Sequence, residues 1–264
     1  MASRIQAMFA RLASEKKAAL VAYLTAGDPT PAATAGLVAA MERGGADLVE
    51  LGVPFSDPIA DGPVIQRGAD RALKAGTTLP RVLEIAAEIR KTSQIPILLF
   101  SYLNPMLRYG FARLAADAKA AGVDGVLMTD ASVEEAESYV GAMRDQQLDT
   151  VFLAAPTSTE RRLELVAKYS SGFVYLVSRT GVTGEQEALS NSIQPLIDAM
   201  RRHTCLPLAV GFGISTHEQY QTVASMADGV VVGSAIVRVI EKYSGSPDLE
   251  AQLEAFTRSL KYGS

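Results

Sequence analysis

The segment 46–61 reads ADLVELGVPFSDPIAD and joins an apolar, β-rich run to a loop that contains proline and glycine. The run predicts a short strand, and the loop can place a side chain without helical geometry. Glu50 lies near the end of this strand, and Asp61 lies in the loop that follows it. Two carboxylates held separately in this way favour acid–base chemistry.

The strand belongs to a unit that recurs along the chain. Apolar, β-rich runs lie at 19–24, 46–51, 96–102, 124–129, 149–154, 173–177, 207–212 and 229–232. Helical patterns lie between and after them at 31–43, 79–91, 111–121, 133–146, 159–169, 191–203, 216–225 and 248–260. Eight strand–helix units in about 250 residues predict an α/β fold, a (β/α)₈ TIM barrel that forms one domain over 1–264. A doubly wound open sheet is the alternative.

Additional elements are expected around this barrel. Residues 1–14 predict an amphipathic leading helix, and extra helices are expected after the second and eighth strands. The extra helix after the second strand is expected at 63–75, where Pro63 suits a first helical turn. The connections 52–62 and 178–190 are long for such loops. Both follow strand ends, so they lie on the face where barrel enzymes carry their active sites.

Composition limits the classes of protein that fit. The chain has 264 residues, 48% of them hydrophobic, and a mean hydropathy of +0.14, so it can bury a sizeable core. No apolar run is long enough to span a membrane, and residues 1–14 lack the features of a signal peptide. The net charge of −4, without a basic block, argues against nucleic acid as the main partner. A single cysteine, Cys205, favours a reducing compartment, so a cytoplasmic location is expected.

Several common catalytic strategies lack their residues at the strand ends. His203 and His217 lie near helix ends, so no catalytic metal is expected. None of the lysines ends a strand, which argues against a Schiff base. No nucleophile elbow, Walker loop or strand-anchored GxGxxG is present. Acid–base chemistry by carboxylates is therefore the leading interpretation.

Each candidate carboxylate also has a purely structural interpretation. Glu50 lies two residues after Leu48, so the two side chains are on the same face of the strand. If that face is the barrel interior, the apolar surroundings would raise the pKa of Glu50. A salt bridge at the sheet edge is the alternative for Glu50. Asp61 precedes Gly62 and could simply cap the following helix. Tyr175 projects from the sixth strand near the same mouth, or it is a core tyrosine.

Three glycine-containing loops indicate a phosphate site. They are GVTG (181–184), VGFGIS (210–215) and VVGSAIV (231–237). A barrel binds phosphate there on backbone amides and a helix N-terminus, although tight turns also need glycine. Apolar side chains at several strand ends could form a pocket beside these loops, or they belong to the barrel core. They are Tyr23, Phe100, Leu127, Tyr175 and Phe212.

Seven segments together resemble the tryptophan synthase α subunit family, over essentially the whole chain. They read YLTAGDP (23–29), ELGVPFSDPIADGPVIQ (50–66), SYLNPM (101–106), AGVDGVL (121–127), YLVSRTGVTG (175–184), GFGIS (211–215) and DGVVVGSAIV (228–237). The resemblance implies a lyase that cleaves indole-3-glycerol phosphate to indole and glyceraldehyde 3-phosphate. No cofactor is expected in such a chain.

The resemblance also implies roles for individual residues. Glu50 would shuttle protons, Asp61 would stabilise the ring N–H, and Tyr175 would line the site. Thr183 would lie on a lid that closes over Asp61. The remaining substrate contacts would be Gly184, Gly213, Gly233 and Ser234 at the phosphate, Phe212 and Leu127 at the indole, and Tyr23 and Phe100 in the apolar pocket.

A partner follows from the same resemblance. The family implies a β subunit that carries pyridoxal phosphate and forms an α2β2 heterotetramer. Asp57, Pro58 and Asn104 match positions that face this partner. Two departures from the family pattern stand out. Ala131–Ser132 follows Asp130 where the family more often has an apolar residue and proline, which loosens a loop near the interface and puts partner affinity or inter-subunit signalling in doubt. Phe100 replaces a more usual aliphatic residue and narrows the indole pocket.

Three other functions are alternatives on the sequence alone. Paired carboxylates in a barrel also suit a glycosidase, although the chain contains no tryptophan. A different phosphate-binding barrel, such as an isomerase or epimerase, is a second possibility. A non-catalytic chain that activates a partner is a third.

Overall fold

The strands form one parallel sheet in the computed structural model, which describes residues 2–177, 186–211 and 213–263 and the side chains of all but 186–192 among them. The strands are β1 Ala19–Thr25, β2 Leu48–Gly52, β3 Ile97–Ser101, β4 Gly125–Met128, β5 Asp149–Val151, β6 Leu153–Ala154, β7 Val174–Val177, β8 Leu208–Gly211 and β9 Gly229–Val232. Their order in the sheet is β5-β4-β3-β2-β1-β9-β8-β7-β6.

The two ends of this sheet meet at Phe152. The edge strands β5 and β6 are consecutive in the chain, and only Phe152 lies between them. Its carbonyl accepts a hydrogen bond from the Tyr175 N–H at 3.1 Å, which continues the pairing with β7. The predicted strand 149–154 is therefore two short segments, and the sheet closes into the predicted barrel. The open-sheet alternative is wrong.

Helices surround the barrel. They are α1 Arg4–Ser14, α2 Thr34–Arg43, α3 Pro63–Lys74, α4 Leu79–Arg90, α5 Leu103–Tyr109, α6 Phe111–Ala120, α7 Glu137–Asp145, α8 Glu160–Tyr169, α9 Gln186–Arg201, α10 His217–Ala224, α11 Ser234–Tyr243 and α12 Leu249–Tyr262. The leading helix is confirmed as α1, and the extra helix after the second strand is confirmed as α3. The eighth predicted strand, 229–232, is β9, and the extra helix after it is confirmed as α11.

Two predicted segments differ from this arrangement, and one helix is additional. Helix α9 begins at Gln186, so the predicted loop 178–190 ends earlier. The predicted helix 133–146 is a 3₁₀ turn, Val133–Glu135, followed by α7. Helix α5 was not predicted.

A distant carboxylate satisfies one of the first backbone amides of helix α5. The Asp130 Oδ1 accepts a hydrogen bond from the Leu103 N–H at 2.6 Å. Pro105 lies within the first turn, where its missing N–H would have had no partner inside the helix. Local sequence shows the proline but not the contact with Asp130.

The barrel interior forms a separate apolar cluster that α1 closes from the N-terminal end. Its inward side chains are Val21, Leu48, Leu98, Leu127, Val151, Phe173, Ala209 and Val231, with Ile5, Met8, Phe9 and Leu12 of α1 packed beneath them. The rings of Phe9 and Phe173 lie 5.5 Å apart. Because this end is filled, the accessible mouth of the barrel is the opposite one, at the carboxyl ends of the strands.

Candidate active site

Glu50 projects into the barrel from β2. Leu48 belongs to the inner cluster, so strand parity directs Glu50 to the same interior, as predicted. The side chain is buried, and its Oε1 has no hydrogen-bond partner among the described residues. Burial raises the pKa of Glu50 to about 8. The salt-bridge alternative gains no support, since the part of the chain described contains no ion pair to Glu50.

Two tyrosines stand beside Glu50. Tyr23 pairs with Glu50 across β1 and β2, and its hydroxyl lies 3.3 Å from the Thr25 Oγ1. Tyr175 projects from β7 and lines the same cavity. Burial raises the pKa of both phenols far above 10, with nearby carboxyl groups adding to the effect. Both tyrosines are therefore neutral and can act only as hydrogen-bonding or apolar groups.

Asp61 lies in the loop at the mouth. Its N–H donates to the Pro58 carbonyl at 3.0 Å, and its carbonyl accepts from the Gln66 side chain at 2.9 Å. Helix α3 begins after Gly62 with no side-chain cap, so the alternative in which Asp61 simply caps this helix is wrong. The carboxyl group is left available for another partner.

Burial raises the pKa of Asp61 to about 6, while an interaction with the Tyr102 hydroxyl acts in the opposite direction. The same hydroxyl accepts a hydrogen bond from the Ala60 N–H at 3.0 Å. The rings of Tyr102 and Phe55 lie 5.4 Å apart. Tyr102, which follows β3 and is the N-cap residue of α5, thus supports the Asp61 loop, a role that the sequence did not indicate.

Glu50, Tyr23 and Tyr175 line one cavity of about 380 Å³, a volume suited to a small ligand, and Ala60 and Gly62 line it on either side of Asp61 in the chain. Seven predicted residues line it: Tyr23, Glu50, Phe100, Tyr175, Gly213, Gly233 and Ser234. Six more do so that were not predicted: Ala60, Gly62, Ile65, Val177, Gly211 and Val231. Val177 lies two residues after Tyr175 on the same face of β7, so the strand alternation could have indicated it. Ile65 lies in the first turn of α3, and nothing in its local sequence marks it.

Two predicted site residues, Asp61 and Leu127, lie outside this lining. Leu127 is fully buried in the inner cluster and pairs with Phe100 across β3 and β4. It therefore supports the wall of the cavity rather than facing it. Thr183, Gly184 and Phe212 lie outside the described residues.

The start of α11 forms the polar end of the cavity. Gly233 is its N-cap residue, no side chain caps the helix, and both Gly233 and Ser234 line the cavity. Helix α10 differs, because Thr216 and Gln219 form a capping box at its N-terminus. The backbone N–H groups at the start of α11 are therefore the better site for an anion.

The residues predicted to face a partner lie around the same mouth. Asp57 is exposed and hydrogen-bonded to Ser56, and Asn104 lines a groove beside α5. Two apolar side chains nearby are unusually exposed, Ile59 at 84% and Leu107 at 57%. Exposed apolar side chains of this kind are typical of protein contact surfaces.

Two negative findings apply to the described ranges 2–177, 186–211 and 213–263. No group of three or more His, Cys, Asp and Glu side chains in them is placed to hold a metal ion. Their helices also include none with the length and apolar character needed to cross a membrane.

Comparison with known proteins gives a consistent result. The family profile described as tryptophan synthase alpha chain matches residues 9–263. The tryptophan synthase alpha chain of Solibacter usitatus is 68% identical over 261 residues, which cover 99% of this chain and 98% of that protein. The alpha chain of Geotalea uraniireducens is 49% identical, with coverages of 99% and 97%.

Solved structures agree with the sequence comparison. The crystal structure of tryptophan synthase subunit alpha from Legionella pneumophila superposes with a TM-score of 0.91 at 35% identity, covering 98% of this chain and 97% of that one. A structure of Mycobacterium tuberculosis tryptophan synthase gives a TM-score of 0.89 at 35% identity, with coverages of 98% and 97%. The chain belongs to the tryptophan synthase alpha chain family, lyases whose alpha reaction cleaves indole-3-glycerol phosphate to indole and glyceraldehyde 3-phosphate.

Proposed function

We propose that the cavity above Glu50 is the site of this lyase reaction and that Glu50 and Asp61 are its catalytic residues. The observation that carries the proposal is a buried carboxyl group with an unpartnered oxygen and a pKa raised to about 8, in a cavity that ends at an uncapped helix. A group of this kind can both give and take a proton near neutral pH.

Protonation of the indole ring is the first step. The neutral Glu50 carboxyl gives its proton to C3 of the indole, and the positive charge moves to the ring nitrogen. Asp61 accepts the hydrogen bond of the ring N–H and stabilises this charge. Its pKa of about 6 keeps it largely ionised at neutral pH, as that role requires.

Cleavage of the carbon–carbon bond is the second step. The Glu50 carboxylate takes the proton of the side-chain hydroxyl next to C3. The bond between C3 and that carbon breaks, its electron pair returns to the indole ring, and the hydroxyl becomes the aldehyde of glyceraldehyde 3-phosphate. Glu50 regains its proton, so the cycle balances without a metal or an imine formed with a lysine.

The rest of the cavity supports the binding of this substrate. The amides at Gly233 and Ser234 suit its phosphate, and the edge-to-face pair of Tyr23 and Phe100, with ring centroids 5.1 Å apart, offers an apolar wall for indole. Thr183, Gly184, Gly213 and Phe212 complete the proposed contacts.

The variant Glu50→Gln tests the role of Glu50. We expect it to fold and to lose indole release by at least about a hundredfold, because an amide cannot transfer protons. Asp70→Asn, at an exposed position of α3, is the control and should retain activity. Full activity of Glu50→Gln would contradict the proposed shuttle. Absence of indole from the unaltered chain, with and without a β subunit, would contradict the function itself.

A β-subunit partner follows from membership of the family, and the proposed contact surface consists of Asp57, Pro58, Ile59, Asn104 and Leu107. The exposed apolar area and the shared loops with Asp61 support this surface. The expected assembly is α2β2, with pyridoxal phosphate held by the partner. Ile59→Ser should weaken association in titration calorimetry, whereas Tyr262→Ser, an exposed aromatic on α12, should leave it unchanged.

The departure at Ala131–Ser132 affects this surface less than the sequence indicates. Asp130 still accepts the hydrogen bond from Leu103, so the contact that anchors α5 is present. We therefore expect the partner to bind a chain with Ala131→Val and Ser132→Pro about as tightly as the unaltered chain.

The cytoplasm is the proposed location. Its support is Cys205, which is exposed and does not form a disulfide. An exposed thiol of this kind is typical of a reducing compartment.

A further inference from the structure

Helices α3 and α11 lie against each other, and both begin at the mouth of the cavity. Gly62 and Ile65 line the cavity at the start of α3, and Ser234 lines it at the start of α11. The helices are in close contact at Gly68, where a Cβ atom would lie 3.1 Å from the Val237 Cγ1. The N-termini of both helices therefore border one ligand site.

Behind this contact, Arg71 of α3 joins two carboxylates. Its Nε and Nη2 donate to the two oxygens of Asp28 at 2.7 and 2.8 Å. Its Nη1 donates to the Glu241 Oε1 of α11 at 2.8 Å. Arg67, one turn earlier in α3, adds two hydrogen bonds to Glu241 at 2.7 and 2.8 Å.

The cluster is anchored in the barrel through Asp28. This side chain is fully buried in the loop after β1, and Arg71 is its only ion-pair partner among the described residues. Burial raises the pKa of Asp28 and the bond to Arg71 opposes that shift, while the bonds from Arg67 and Arg71 lower the pKa of Glu241 to about 2. A planar guanidinium can serve both carboxylates at once, which a lysine cannot.

We propose that Arg71 is a positioning residue that holds α3 against α11 and β1, and so sets the spacing between the Asp61 loop and the phosphate-binding start of α11. The inference rests on the proposed function, in which Asp61 binds one end of the substrate and α11 binds the other. A substrate held at two ends requires this spacing, whereas a ligand that occupies only one end does not.

The test therefore compares the whole substrate with its two ends. In Arg71→Met and Arg71→Lys, assayed as full chains saturated with β subunit, we expect the KM for indole-3-glycerol phosphate to rise about ten- to hundredfold. Inhibition constants for inorganic phosphate and for indole should each stay within about twofold of the unaltered values. Glu241→Gln should produce a smaller change in the same direction.

Arg43→Met provides the matched control. Arg43 of α2 donates to Glu254 of α12 at 2.7 Å, and Arg258 donates to the same carboxylate at 2.9 Å. This cluster also joins two helices, but it does not contact the cavity. Its loss should leave the KM unchanged, and thermal unfolding of each variant will show whether the fold is retained.

The results of these assays distinguish a failure of the positioning role from a failure of the proposed function. An unchanged KM in both Arg71 variants would overturn the positioning role alone. An equal loss of phosphate affinity would also overturn it, because the cradle itself would then be damaged. If Arg71→Met does not fold, Arg71→Lys and Glu241→Gln decide the matter by the same comparison. An unaltered chain that releases no indole would overturn the proposed function and this inference together.

Discussion

The hydroxyl of Tyr23 lies where a Cβ atom on Gly52 would have to be. Gly52 pairs with Thr25 in the next strand, two residues beyond the pair of Tyr23 and Glu50, so the tyrosine ring leans over the glycine. The missing side chain at Gly52 leaves room for the Tyr23 ring at the wall of the cavity. The absence of a side chain at Gly52 thus shapes the site.

Gly52→Ala is expected to push the Tyr23 ring into the cavity. The ring cannot retreat, because Phe100 packs against it with centroids 5.1 Å apart. We expect kcat/KM for indole-3-glycerol phosphate to fall about ten- to hundredfold, with a loss of roughly 1–3 kcal/mol in the free energy of unfolding.

Gly141→Ala in α7 is the control, since a Cβ atom there would meet nothing within 4 Å. Steady-state kinetics and urea unfolding of both variants test the explanation. The double variant Gly52→Ala, Tyr23→Leu should recover part of the lost activity, and no recovery would count against displacement of the ring.

The burial of Glu50 predicts a pH-dependent cost in stability. Its pKa is raised from 4.5 to about 8 in the folded chain, so between these values the folded state holds a proton that the unfolded state has lost. The free energy of unfolding therefore receives a contribution from Glu50 that decreases as pH rises through this window.

Glu50→Gln removes this contribution. The stability of the variant relative to the unaltered chain should increase between pH 5 and 8 by up to a few kcal/mol and change little below pH 4.5. Urea unfolding at several pH values measures the difference. A difference that does not depend on pH would show that Glu50 ionises normally.

Tyr102→Phe tests the support of Asp61. The Ala60 N–H loses its acceptor, and Asp61 loses the interaction that lowers its pKa. We expect the acidic limb of the kcat/KM profile to move to higher pH and the maximum to fall about tenfold.

Tyr109→Phe removes a comparable hydroxyl, which donates to Asp117 at 2.6 Å away from the cavity. Its pH profile should match that of the unaltered chain. An identical acidic limb in Tyr102→Phe would indicate that Tyr102 supports the loop without affecting Asp61.

Phe100→Leu is expected to widen the indole end of the cavity. Phe100 lines the cavity and packs edge-to-face on Tyr23, so a smaller side chain leaves space beside the ring. We expect kcat/KM for a ring-methylated substrate, relative to the parent substrate, to rise about tenfold. Phe111→Leu, on α6 away from the cavity, should not change this ratio.

Helix α5 and helix α9 show where local sequence was insufficient. The first amide of α5 is satisfied by Asp130, 27 residues further along the chain, so its own residues do not mark the start of the helix. The early start of α9 at Gln186 lies in a segment that the sequence presents as loop. The first error concerns a whole helix that depends on a distant contact, and the second concerns the start of a helix, where local preference is weakest as a guide.

In the candidate site, too, local sequence indicated some residues and not others. Glu50 was identified because strand parity is a local property, and its apolar surroundings follow from that parity. Whether Asp61 caps α3 depended on where the chain turns, and only the structure excluded that role. Arg71 could not be assigned at all, since its partners lie 43 and 170 residues away.

The sequence by itself determined that this chain is a barrel of strand–helix units with a carboxylate at the end of the second strand. Those features depend on periodicity and parity, which neighbouring residues specify. The tertiary structure alone decided which glycines face tyrosines, which helix start is left uncapped, and which arginine joins two helices. Barrel closure at Phe152 brings the sheet edges together, and such proximity has no local signature.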